Sequence, residues 1–308
     1  MHPPDNTNQK AGKLRQIIRL SKLAFTPVAI LFLIIITWQS WDNISHIYKN
    51  ANKSMLTIAI VSWSILYLLY PVLLVTLLKP WRTRLTFRSI LYIHINRLPA
   101  RYIPGGIWHT VARFTDFRQY GMQKRQLTGL LLLENILSLG LALFLGGAIL
   151  LFYQEAGLWW YLAFSSAVSG IILIIISIPV INRYILTNDH HISWLTFIRV
   201  FIIMSIYWLL AASIFVLYVY ALPNIISGQQ EVRLGGVYLF SWGVGYLAFF
   251  APQGVGVFEI ISGKLLHGNL TLLDTAALIA GFRVIILCAD ILAWISLRLA
   301  YILGKPPQ

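Results

Sequence analysis

The chain of 308 residues has one cysteine, Cys288, and 10 acidic residues against 24 lysines and arginines. A lone cysteine within an apolar stretch excludes an intramolecular disulfide and any cysteine-based metal cluster. Charge of both signs is scarce: 11% of the residues are charged, where a soluble domain carries about 25%. With 58% hydrophobic residues and a mean hydropathy of +0.74, this balance excludes an ordinary soluble domain and fits a polytopic membrane protein. Soluble-type phosphate loops, metal-ligand spacings and nucleophile–base constellations are missing too, so no enzyme activity, metal or cofactor is expected. Gly254-Val255-Gly256 lacks the strand and helix context of a dinucleotide site. A net charge of +14 suggests nucleic acid at first sight. The basic residues lie in short segments beside apolar runs, however, which is how membrane-protein loops look, and no nucleic-acid partner is expected.

What the sequence does have is long apolar runs. A crossing takes about 20 residues, and runs of that order occur at 24–41, 55–78, 126–153, 157–180, 197–222 and 275–303. Five basic residues, Lys10 to Lys22, precede the first run, and no small-residue cleavage site follows it, so it reads as a retained helix after a basic arm. Two further segments, 85–120 and 234–268, are apolar but broken, at Pro104-Gly105-Gly106 and at Pro252-Gln253-Gly254-Val255-Gly256. Broken backbone is tolerated at membrane depth only where protein or a water-filled cavity covers its polar groups. A matched pair of breaks, one per half, points to a translocation site.

The expected fold is therefore an all-α polytopic membrane protein. It has about six full transmembrane helices, two re-entrant elements and inverted-topology repeats. The repeats span 23–153 and 157–303, behind a cytoplasmic basic arm at 1–22. Counting lysine and arginine places 19 on the inside and three outside, with both termini cytoplasmic. If 234–251 crosses fully, the count becomes 18 against five and the C-terminus lies outside. Both topologies remain open at this point.

Charges at membrane depth are the candidate functional residues, because each costs about 2.5–3.5 kcal/mol on insertion scales. They are Glu134, Glu259, Lys264, Arg283 and Asp290. Arg283 and Asp290 are about 10 Å apart along one helix, too far to pair directly, so each needs a partner from another element. Glu134 is neutralised by Arg113 or Arg283. We expect Glu134, Glu259 and Arg283 to line a polar cavity between the repeats. Arg97, Arg101 and Arg113 flank the first break and are placed to meet anionic head groups. Gly105, Gly106, Gly254 and Gly256, with Pro104 and Pro252, supply the tight backbone of re-entrant tips. Gly140, Gly146 and Gly147 read as helix-packing residues. His109 reads as an interfacial hydrogen-bonding residue, and His190 and His191 as members of a solvated loop.

The stretch Asn96-Arg97-Leu98-Pro99-Ala100-Arg101-Tyr102-Ile103-Pro104-Gly105-Gly106-Ile107-Trp108, with Ala112-Arg113, resembles a motif of the lysylphosphatidylglycerol synthase transmembrane (flippase-like) family. Phe250-Ala251-Pro252-Gln253-Gly254-Val255-Gly256-Val257-Phe258-Glu259 resembles its second signature, and Glu134 stands where that family tends to have an acid. Phe258 departs from the pattern, which usually has arginine before the glutamate, so Glu259 must draw its cation from elsewhere. The resemblance implies a stand-alone lipid-translocating module in a bacterial-type cytoplasmic membrane, without the attached synthase domain of its multidomain relatives. Its partners are then membrane lipids with anionic head groups. The alternatives are a membrane-embedded partner of a separate glycosyl- or aminoacyl-transferase, and an intramembrane lipid-modifying enzyme. Neither the lipid nor the oligomeric state is legible in the sequence.

Overall fold

Caps and prolines decide where the helices begin and break. The computed structural model describes residues 48–81, 83–102, 108–187, 190–222, 230–248, 254–266 and 271–303, and every regular element among them is helical. Helix α1 (Lys53–Leu66) starts at Asn52, whose side chain accepts the Met55 N–H. Pro71 has no N–H to give to the Tyr67 carbonyl and its ring crowds that oxygen, so the helix breaks and restarts as α2 (Leu69–Leu78). A reciprocal cap between Thr86 and Ser89 opens α3 (Phe87–Asn96). A short 3-10 turn at Leu98–Tyr102 follows, and then α4 (Trp108–Gln119). The long helices α5 (Lys124–Leu151), α6 (Leu158–Tyr184) and α7 (Trp194–Tyr220) come next. The chain continues with α8 (Glu231–Leu247), α9 (Val257–Leu265) and α10 (Leu272–Leu303).

Five stretches are long and apolar enough to cross a membrane: Lys53–Trp81, Lys124–Leu151, Leu158–Tyr184, Trp194–Tyr220 and Asp274–Ala300. That is the architecture of an integral membrane protein. These stretches fall on five of the six apolar runs. The sixth, 24–41, and the basic arm 1–22 lie outside the described residues. The two broken segments are each a pair of shorter helices, α3 with α4 and α8 with α9. At 17 residues α8 is about 26 Å long, less than the hydrocarbon thickness of about 30 Å.

Helix α5 is the hub. It meets α6 through Gly140, Gly147 and Gly170, where backbones touch: a Cβ on Gly147 would lie 2.5 Å from the Ala163 carbonyl oxygen. Against α8 it runs antiparallel, with Gly146 on Phe240, Leu143 on Gly243 and Ile149 on Gly236. Helix α1 packs against both α7 and α10, and α9 against α10. Phe215, Tyr238 and Phe282 interlock where α7, α8 and α10 meet. The outer face of α6 leaves Tyr161, Phe164, Ile172, Ile175 and Val180 exposed, as a lipid-facing helix requires.

Candidate functional site

Each arginine flanking the first break has a carboxylate. Arg97 donates from Nε and Nη2 to the two oxygens of Asp116, both at 2.7 Å, which ties the end of α3 to α4. Arg113 of α4 donates through Nη2 to both oxygens of Glu134 on α5 at 3.1 Å. The Tyr70 hydroxyl donates to Glu134 Oε1 at 2.7 Å, and its ring lies 4.4 Å beneath the Arg113 guanidinium. Arg101 Nη1 is 3.4 Å from Asp290 Oδ2 on α10. Tyr102 donates to the same oxygen at 2.8 Å, Tyr67 donates to the other, and Trp63 Nε1 donates to the Tyr67 oxygen at 3.0 Å. Asp290 is 3% exposed. A carboxylate that deep is tolerable because both oxygens are filled.

The second break shows the same device with the signs reversed. Glu259, 3% exposed in the first turn of α9, accepts the Gly256 N–H at 2.7 Å through Oε2. Its Oε1 lies 3.1 Å from Arg283 Nη2 on α10, an ionic contact without hydrogen-bond alignment. Gly254 and Gly256 have φ of +68° and +88°, and a Cβ on Gly254 would meet the Gly245 backbone at 3.0 Å. In both halves, then, the helix after the break is ion-paired to the long helix that follows: Arg113 to Glu134, Glu259 to Arg283. Arg101 to Asp290 joins the two halves.

A cavity of about 170 Å³ opens beside the first of these pairs, lined by His109, Arg113, Phe117, Leu130, Glu134 and Asn135 among others. At about 30 Å³ per water it has room for roughly five waters or a compact polar head group, not an acyl chain. His94 stacks on Tyr70 with centroids 4.0 Å apart and lies 6.1 Å from the His109 ring. Both histidines stand outside the membrane-spanning helices. Burial, aided by the Arg101 charge, pushes the His109 imidazole down to about 4. Burial, then His109 and Arg101, holds His94 well below its ordinary value. Both rings are neutral at physiological pH.

The three residues expected around one polar cavity fall, among the described residues, in two places. Glu134 lines the cavity, but Glu259 and Arg283 do not, because α4 carries Arg113 onto Glu134 while Arg283 faces α9. Pro104, Gly105, Gly106 and Pro252 lie outside the described residues. Lys264 is exposed. His190 meets Thr187 and His191 meets Asn182. Sequence reasoning missed the tyrosines that fill out both carboxylate cages. Tyr67 and Tyr70 sit three apart in an apolar run, one helical face, which is the signal that marks them. It also missed Asn135, which accepts a hydrogen bond from Tyr246 and forms one cavity wall. Neither a protein-family model nor a curated protein matches this sequence.

Proposed function

We propose that this chain is a lipid translocator. It moves an anionic, amino-modified or polyprenyl-linked lipid between leaflets of a bacterial-type cytoplasmic membrane, with the N-terminus cytoplasmic. The observation that carries the reading is the set of buried ion pairs that hold both broken elements to membrane-depth helices. Such charges are expensive, and inside membranes they mark substrate pathways. The motif resemblance points the same way. In this reading a head-group phosphate competes with Glu134 for Arg113, and an amine on the same lipid competes for Glu134. Freed from α5, helix α4 then shifts and exposes the cavity to the other side. An ion-paired break in each half supports a reading of alternating access between inverted repeats.

The test is leaflet exchange of a fluorescent phosphatidylglycerol in vesicles carrying the purified protein, read with a membrane-impermeant quencher. Exchange should exceed that of empty vesicles and fall in Glu134→Gln and Arg113→Gln. Exchange equal to empty vesicles overturns the reading. A second reading, a membrane partner of a separate transferase, draws on the internal neutralisation of these pairs, since matched charges need no substrate. Co-purification of one soluble transferase, without leaflet exchange, decides for it.

A further inference from the structure

The buried guanidinium of Arg233 departs from the pattern above. It lies in the first turn of α8 and is 9% exposed. Its Nη2 donates to the carbonyl of Leu265, the last residue of α9, at 2.9 Å. Its Nε is buried with no hydrogen-bond partner. Arg101, Arg113 and Arg283 each have a carboxylate. Arg233 has none among the described residues. Glu155 and Glu231 are close to the site in sequence, yet both are exposed and neither pairs with it. The adjoining segments 223–229 and 267–270 contain no aspartate or glutamate at all.

A second orphan donor belongs to the same place. The α5–α8 register runs Leu143 on Gly243, Gly146 on Phe240 and Ile149 on Gly236. Continued by one more turn, that register sets Arg233 of α8 opposite Tyr153, in the turn just past the end of α5, with Gln154 next to it in the chain. The Tyr153 phenol is indeed within electrostatic reach of Arg233. Gln154 Nε2, like Arg233 Nε, is buried without a hydrogen-bond partner. The register thus places two unfilled N–H donors and a positive charge without a carboxylate in the region just past the end of α5. The negative end of the α9 dipole offsets part of that charge but leaves both donors empty.

We propose that Arg233 and Gln154 form an anion site that takes a phosphate group. A guanidinium edge and an amide offer a planar donor set matched to phosphate oxygens, and a phosphate supplies the missing negative charge. Helix α5 has 28 residues and is about 42 Å long, enough to cross the hydrocarbon core, and Tyr153 and Gln154 lie just past its C-terminal end. The site therefore belongs to the membrane face at that end, opposite the one where α5 begins at Lys124. A lipid head group in that leaflet and free phosphate share this chemistry. The inference goes beyond the translocation reading, because binding here does not depend on any lipid being moved.

The experiment uses the full chain, delipidated in a maltoside detergent, and measures the thermal shift with phosphatidylglycerol, with inorganic phosphate and with chloride as control. Phosphatidylglycerol or phosphate should raise the Tm of the wild type, and chloride should not. Arg233→Gln and Arg233→Lys should bind at least about tenfold more weakly, the loss expected for a charge-assisted hydrogen bond. Gln154→Leu leaves the α9 cap intact, so it should keep the wild-type unliganded Tm and lose the shift. A response to lipid alone assigns the site to a head group, and a response to both assigns it to phosphate generally. No shift in the wild type, or shifts in Gln154→Leu and Arg233→Gln as large as the wild type's, overturns the proposal and leaves Arg233 as a helix cap. Leaflet exchange measured on Gln154→Leu separates the two readings: lost binding with exchange intact keeps the site and detaches it from translocation.

Discussion

Asp290 and Asp116 both accept from arginine, and comparing them shows what burial does to an ion pair. Asp290 is 3% exposed and filled by Tyr67, Tyr102 and Arg101, whereas Asp116 is 13% exposed and, among the described residues, holds only Arg97, itself 38% exposed. Removing one member of a buried pair strands the other and costs about 3–5 kcal/mol. A solvent-screened pair is worth about 1 kcal/mol or less. Asp290→Asn should therefore lower the Tm far more than Asp116→Asn, and equal losses would show that the Asp290 cage is wetter than it looks. The histidines give a pH counterpart. His109 has its imidazole pushed down to about 4 in the folded protein against about 6.5 unfolded, so the unfolded state binds protons first as pH falls. The stability tied to its neutral form is fully present above about pH 6.5 and drains as pH falls toward about 4. His109→Gln should flatten the fall in Tm across that window, and an unchanged slope would assign the fall to other groups.

At the scale of the element, the second break rests on two glycines that differ in a testable way. Both have positive φ, so any side chain is strained at either, by about 1–3 kcal/mol. Around Gly256 there is open space, whereas Gly254 has its Cβ direction filled by the Gly245 backbone. Gly254→Ala should thus destabilise more than Gly256→Ala, and the reverse order would place the tight approach elsewhere. This element also marks what was legible in the sequence. The breaks, the five long helices and the charged residues at depth could be read directly, because prolines, glycine clusters and isolated charges in apolar runs carry local signals. The partners could not. Glu134 was compatible with Arg113 or Arg283 until α4 was seen lying on α5, and α4 to α5 contact is a tertiary fact with no sequence period. The tyrosines at 67 and 70 escaped notice because aromatic residues are ordinary in a span. That they reach separate carboxylates, Tyr67 on Asp290 and Tyr70 on Glu134, is again a tertiary fact.

For the whole molecule the arrangement of charge becomes an argument about motion. Three of the four ion pairs among the described residues act within a half, Arg97 with Asp116, Arg113 with Glu134 and Glu259 with Arg283, and Arg101 with Asp290 crosses between halves. If the halves move against each other, the crossing pair must open, while the pairs within a half move with their own elements. Exchanging the members of a pair tests which kind it is. The double variant Arg113→Glu with Glu134→Arg keeps one charge of each sign in place, so it should recover most of the Tm lost in either single change. The pairing of Glu134 with Arg283 is not formed, so Glu134→Arg with Arg283→Glu should give no such recovery. Across the halves the prediction concerns rate. On the translocation reading, Asp290→Asn removes the charge that holds Arg101 and should alter leaflet exchange by about tenfold or more, as a contact worth about 1.4 kcal/mol or more would. The direction of that change is informative. Faster exchange means the crossing pair stabilises a closed resting state, and slower exchange means it stabilises the state that must be crossed. An exchange rate that Asp290→Asn leaves untouched, in a variant that still folds, would show that the two halves do not part at this pair.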